Sequence, residues 1–199
     1  MSHNTWLHRI SRVVIVKPLM ATRITPNQLT FMRLITGAIA AYLVALGGSF
    51  FLDFGGLLFL ISMFLDRADG DLARMSGKTS SFGHSFDLYS DSFCNTILFV
   101  GLGIGLRLGE YGDTAIIMGS LAGLSVGGIL ILVIKLETKL GARAGELGNF
   151  YGFDPDDVMI VIPILIWNDF SEELLLAASI GAPLFLIFFY FLYKFKMIN

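Results

Sequence analysis

Six apolar stretches, at 27–48, 54–75, 84–107, 113–136, 155–169 and 172–195, constrain this chain more than any other feature. Most approach the roughly 20 residues that an α-helix needs to cross about 30 Å of hydrocarbon. The fifth is short: its apolar run, Val158 to Trp167, is broken by Pro163. It spans only if neighbouring helices satisfy the backbone groups that proline frees, so five crossings is the alternative to six. Hydrophobic residues make up 55% of the 199 residues and charged residues 15%. A soluble domain of this size has too much surface for its volume to hide such a composition. The expected fold is all-α: a polytopic membrane helical bundle of six transmembrane helices, preceded by an N-terminal amphipathic interfacial helix. One membrane domain covers 1–199, with the interfacial helix in 1–24 and the six-helix core in 25–199.

Between Trp6 and Lys17, apolar Trp6, Ile10, Val13, Val14 and Val16 interleave with His8, Arg9, Arg12 and Lys17. That pattern suits a helix lying in the membrane interface and ending near Pro18. The same basic residues break the apolar run a cleavable secretory signal would need. Thr25-Pro26-Asn27 then opens the first span, where proline suits the unpaired N–H groups of a helix start. Basic residues collect on one side: Arg9, Arg12, Lys17 and Arg23, then Arg67, Arg74 and Lys78, then Lys135, Lys139 and Arg143, then Lys194 and Lys196. The other side holds Arg107 among Asp53, Glu110, Asp113, Asp169, Glu172 and Glu173. The positive-inside rule places both termini of this multi-pass chain in the cytoplasm. The net charge of −2 implies no nucleic-acid partner, and the single cysteine, Cys94, reads as a packed thiol.

Between the second and third apolar stretches lies a run of acids. Asp66 and Asp69 are three apart and share a helix face; Asp87 and Asp91 are four apart and share another. A turn around Ser76 to Ser81 lets the two helices pack antiparallel, so that four carboxylates converge in one pocket. Unpaired, they would force one another to protonate. A hard divalent cation, Mg²⁺ or Mn²⁺, solves this with oxygen ligands and keeps positions open for phosphate oxygens. The plainer alternative pairs these acids with Arg67, Arg74 and Lys78 as solvated loop charges. Acids at membrane depth favour the functional reading.

The stretch reads Asp-x2-Asp-Gly-x2-Ala-Arg-x8-Gly-x3-Asp-x3-Asp, through Asp66, Asp69, Gly70, Ala73, Arg74, Gly83, Asp87 and Asp91. It resembles the signature of the CDP-alcohol phosphatidyltransferase family, with every specified position filled. A chance match at one start is on the order of 10⁻¹⁰ at ordinary residue frequencies. Thr25-Pro26-Asn27-x-Leu29-Thr30 resembles the opening of that family's first helix. The resemblance implies an enzyme of the inner (cytoplasmic) membrane that works at the cytoplasmic face in phospholipid biosynthesis. It would move a phosphoalcohol group, phosphatidyl by preference, from a CDP-linked lipid such as CDP-diacylglycerol to the hydroxyl of a small alcohol, releasing CMP. Two metal ions would be held by Asp66, Asp69 and Asp87, with Asp91 near them as the general base. Asn27, Asp66, Asp69, Gly70, Ala73 and Arg74 would contact the donor. Gly83 would let the third helix approach the second. A CDP-linked polar alcohol is the alternative donor.

Other residues carry weaker signals. Asp71 reads as a solvated charge and His84 as a local hydrogen-bonding group. Arg33, roughly a turn and a half inside the first span, either snorkels to the interface or contacts a phosphate. Lys139 and Arg143, with Asp156 and Asp157, are candidate acceptor contacts. The acids at Asp154, Asp156 and Asp157 lean toward an acceptor without a phosphate, although they also suit a helix N-terminus. Gly119, Gly123 and Gly127 recur every fourth residue and suit close helix approach, within one subunit or in the homodimer the resemblance implies. From another class, a cation transporter would want a second acidic site in the later half. An Asp-rich prenyltransferase would want a second Asp-rich motif, and Asp154-Pro155-Asp156-Asp157 is too compressed.

Overall fold

A computed structural model of the chain describes residues 6–140 and 155–198, and every regular element in them is helical. An N-terminal segment runs as α1 (Trp6–Ser11), a π-helical turn (Arg12–Val16) and α2 (Lys17–Leu19). Then come α3 (Pro26–Leu46), α4 (Ser49–Ser76), α5 (Ser81–Gly105) and α6 (Thr114–Leu140). A 3₁₀ turn (Pro155–Ile160) leads into α7 (Val161–Trp167), and α8 (Ser171–Ile198) closes the fold.

Local chemistry explains the helix ends. Thr25 and Gln28 form a capping box at the start of α3, with Pro26 in its first turn. The Ser80 hydroxyl accepts a bond from the Gly83 N–H at the start of α5. Gly77 ends α4 in the left-handed region at φ 68°, where a side chain would be strained.

Four helices are long and apolar enough to cross a membrane: α3, α4, Thr114–Leu136 of α6 and Ser171–Phe195 of α8. The expected third span, α5, has the length, but it carries Asp87, Asp91, Asn95 and several serines, which dilute its apolar character. The expected fifth span is a short pair of elements, because its apolar run is brief. That pair runs beside α4. Met159 shares a recess with Asp66, Pro163 packs on Gly56, and the Trp167 indole donates to the Asp53 carbonyl at 3.1 Å.

The order of packing corrects one expectation. α4 and α5 touch only slightly; α3 lies between them and packs along both. The approach of α3 to α5 is close, since a methyl added at Gly37 would fall 2.6 Å from Cys94 Sγ, and one at Gly101 2.5 Å from the Ala41 carbonyl. These pairs run in the same sense, so α3 and α5 are parallel and both begin at one end of the bundle. α4 is antiparallel to them and ends there. Gly83 also faces α3: its missing side chain leaves room for Asn27 Oδ1, not for α4. Phe59, Met63, Val44, Leu98, Phe99 and Ile162 fill the core between these helices.

The glycine stripe on α6 is used inside the chain. A methyl on Gly123 would come 2.5 Å from the Thr96 carbonyl, and one on Gly127 2.8 Å from Thr96 Oγ1. It faces α5 and carries no argument for a dimer. Outward-facing Tyr42, Ile117, Leu124 and Phe191 are exposed, as side chains meeting lipid would be.

Candidate active site

The starts of α3 and α5 and the end of α4 surround a cleft of about 130 Å³. α3 contributes Pro26, Asn27 and Thr30; α4 contributes Asp69, Gly70, Ala73 and Arg74; Lys78 to Ser80 form the connecting turn; α5 contributes Gly83, His84 and Asp87. At about 1.5 Å per residue, the 28 residues of α4 reach about 42 Å. That exceeds the roughly 30 Å hydrocarbon thickness, which leaves the end carrying Asp66 to Ser76 room to stand clear of it.

The four signature aspartates gather at this end of the bundle, with Asp87 in electrostatic reach of Asp66, Asp69 and Asp91. Asp69 and Asp87 line the cleft, and Asp66 and Asp91 line a narrow recess of about 10 Å³ with Arg33, Arg67 and Asn95. Arg33 is 2% exposed and reaches from α3 into the gap between α4 and α5. Its Nε lies 3.1 Å from Asp66 Oδ1, close enough for an ion pair although not aligned as a hydrogen bond. Its Nη2 pairs with Asp91, and its Nη1 donates to the Ser90 carbonyl. Asp66 also pairs with Arg67, and Asp91 accepts from Asn95 Nδ2 at 3.0 Å. Arg33 therefore does not snorkel to the interface; it is a buried counterion. A charged residue at this depth with acids elsewhere in the chain was the signal that could have found this role. Thr30, also missed, donates to Asp69 Oδ2 at 2.6 Å.

Among the described residues, no three His, Cys, Asp or Glu side chains stand ready as a metal cage. The donor set nevertheless fits a hard cation. Arg33 pairs with both Asp66 and Asp91, and Arg67 pairs with Asp66. Asp69 and Asp87 line the cleft, and oxygen donors of this kind suit Mg²⁺ or Mn²⁺.

Asp71 corrects another expectation. It is 1% exposed, not a solvated charge. It accepts from Arg74 Nη2 at 2.8 Å and Arg12 Nη2 at 3.1 Å, and His8 Nδ1 lies 3.3 Å from its Oδ2. The N-terminal segment thus docks on α4 through polar contacts, including Ser11 Oγ to the Phe64 carbonyl at 3.2 Å. Val16 joins Leu29, Ala68 and Leu72 in a small apolar cluster beneath it. His84 is exposed at the cleft wall.

The candidate acceptor residues are only partly described. Lys139 is exposed near the end of α6, which runs antiparallel to α5 and so returns to the cleft end, but it does not line the cleft. Asp156 and Asp157 belong to the 3₁₀ turn, and Arg143 and Asp154 lie outside the described residues.

An all-helical chain with several membrane-length helices and an acid-lined cleft at one end defines a multi-pass membrane protein with a polar site. A family model, CDP-alcohol phosphatidyltransferase, matches residues 23–185, and the chain belongs to that family. Among known relatives it is 34% identical over 92 residues to the archaetidylinositol phosphate synthase of Pyrococcus horikoshii, covering 45% of this chain and 46% of that protein. It is 33% identical over 92 residues to the bifunctional IPC transferase and DIPP synthase of Aquifex aeolicus, covering 46% of this chain and 21% of that protein. The matched stretch thus spans less than half the length of each relative.

Proposed function

We propose that this chain moves a phosphatidyl-type group from CDP-diacylglycerol, or a similar CDP-linked lipid, to the hydroxyl of a small alcohol, with release of CMP. The observation that carries this reading is the cleft, whose lining joins two carboxylates, Asp69 and Asp87, with two cations, Arg74 and Lys78. Such a site suits a diphosphate brought in with divalent cations. Asp66, Asp69, Asp87 and Asp91 would hold two Mg²⁺ or Mn²⁺ ions. When bound, these ions would neutralise the donor diphosphate and the charge developing on CMP. Asn27, Gly70 and Ala73 would cradle the nucleotide, and Arg74 would pair with its phosphates. Asp91 takes the proton of the acceptor hydroxyl. The hydroxyl oxygen forms its bond to the donor's β-phosphorus, and the bond from that phosphorus to the CMP oxygen breaks, leaving its electron pair on CMP.

For topology, we read α5 and the Pro155–Trp167 segment as the two further crossings, which brings the count to six. The N-terminal segment, docked beside Asp71, and the end of α8 then lie on the cleft side. The loop charges favour the cytoplasm for that side.

The similarity to an archaetidylinositol phosphate synthase favours a second reading of the acceptor, an inositol phosphate; Lys135 and Lys139, exposed toward the cleft end, suit it. The acids around Asp156 favour an acceptor without phosphate. The deciding experiment incubates purified protein and Mg²⁺ with CDP-diacylglycerol or a CDP-linked polar alcohol and a panel of free and phosphorylated polyols. CMP release and lipid mass are read together. No CMP from any CDP-linked donor would overturn the proposal.

A further inference from the structure

Arg74 is a long side chain at the mouth of the cleft, 37% exposed, and without a tether it would sample many rotamers. Two features restrain it. Asp71, one turn earlier on α4, binds its Nη2 at 2.8 Å. Gly70, which lines the cleft, has no side chain, and a Cβ there would lie 3.2 Å from Arg74 Nη1. The guanidinium therefore lies across the Gly70 backbone.

Asp71 is buried, and a buried carboxylate needs compensation from every side it can find it. Arg12 supplies two contacts, Nη2 to Oδ1 at 3.1 Å and Nε to Oδ2 at 3.3 Å. His8, 5% exposed, sits against Oδ2. Without these two residues the charge of Asp71 would fall on Arg74 alone and draw its guanidinium away from the cleft. With them, Arg74 gives one N–H to Asp71 and keeps its other donors for a ligand.

We infer that Asp71 is a positioning residue that aims Arg74 at the phosphates of the CDP-linked donor, and that the N-terminal helix completes the donor site through Arg12 and His8. This deepens the donor reading above and rests on it. The N-terminal helix turns Ile10, Val13 and Val14 outward, so the segment that trims the donor site is also one that meets the lipid the donor arrives in.

The test uses the full chain in lipid nanodiscs with Mg²⁺. Donor KM, kcat and acceptor KM are measured, together with thermal stabilisation by CDP, which reads binding without turnover. Asp71→Asn is expected to raise donor KM about tenfold, the size of one lost charge-assisted bond, with kcat and acceptor KM within about twofold. Arg12→Gln is expected to act in the same direction but less, about threefold. Neither change should raise donor KM further once Arg74→Ala is present, because all three act through one guanidinium. Effects that multiply with Arg74→Ala, or that fall on kcat alone, would overturn the inference. Should Asp71→Asn fail to fold, the Arg12→Gln and Arg74→Ala pair decides alone. A wild-type protein that CDP does not stabilise would sink both the donor reading and the inference. One that is stabilised but releases no CMP would sink the reaction only, and the same pairs of variants would then be read on CDP affinity.

Discussion

Arg33→Met removes a buried cation that links α3 to both acid-bearing helices. The new side chain fills similar space, so the loss is chiefly of charge. Asp66 keeps Arg67 and Asp91 keeps Asn95, but neither partner replaces a guanidinium that is 2% exposed. Removing one partner of a buried ion pair costs about 3–5 kcal/mol. The surviving contacts favour the low end, about 3 kcal/mol, which for a chain of this size lowers Tm by about 6–12 °C. The assay is thermal unfolding of purified protein in chelator and again in millimolar Mg²⁺. The deficit should be full in chelator and shrink with Mg²⁺, because the released carboxylates then gain a different counterion. Arg33→Lys keeps the charge but not the fork that reaches Ser90, Asp66 and Asp91, and should lose roughly half as much. An Arg33→Met protein that melts within about 1 °C of wild type in chelator would refute the counterion role.

Chelation should abolish CMP release and Mg²⁺ or Mn²⁺ restore it, with Asp69→Asn and Asp87→Asn each shifting the metal requirement upward; full activity in chelator would sink the metal reading. Asp91→Asn should lower kcat by about 10²–10⁴-fold while donor affinity falls much less; equal losses in both would make Asp91 a ligand instead of the base. Gly123→Val should destabilise the fold by about 1–3 kcal/mol, because its Cβ meets the Thr96 carbonyl and backbone does not yield as a side chain does. Gly181→Ala, with open space around it, is the control expected to melt normally.

Much of the fold was legible in the residues. Helix boundaries follow from signals within a few positions of each end: the Thr25 and Gln28 capping box, Ser80 before α5, and Gly77 after α4. Membrane-length apolar runs marked α3, α4, α6 and α8, since hydropathy is a property of each segment by itself. The pairing of Asp66 with Asp69, and of Asp87 with Asp91, is helix periodicity and needs no tertiary knowledge.

What the residues alone left undecided is which helix stands beside which. The short turn at 77–80 suggested that α4 and α5 pack directly, yet α3 lies between them, because Gly37 and Gly101 let it approach α5 more closely than a side chain would allow. That insertion carries Arg33 to Asp91, 58 positions away in the chain, and sets one guanidinium between Asp66 and Asp91. It is also docking that turns Asp71 from an apparent surface charge into a buried hub for His8 and Arg12. Local order is set by each helix's own periodicity and caps, whereas the neighbours of a charge are set by which backbones can come close, and that is decided only when the helices pack.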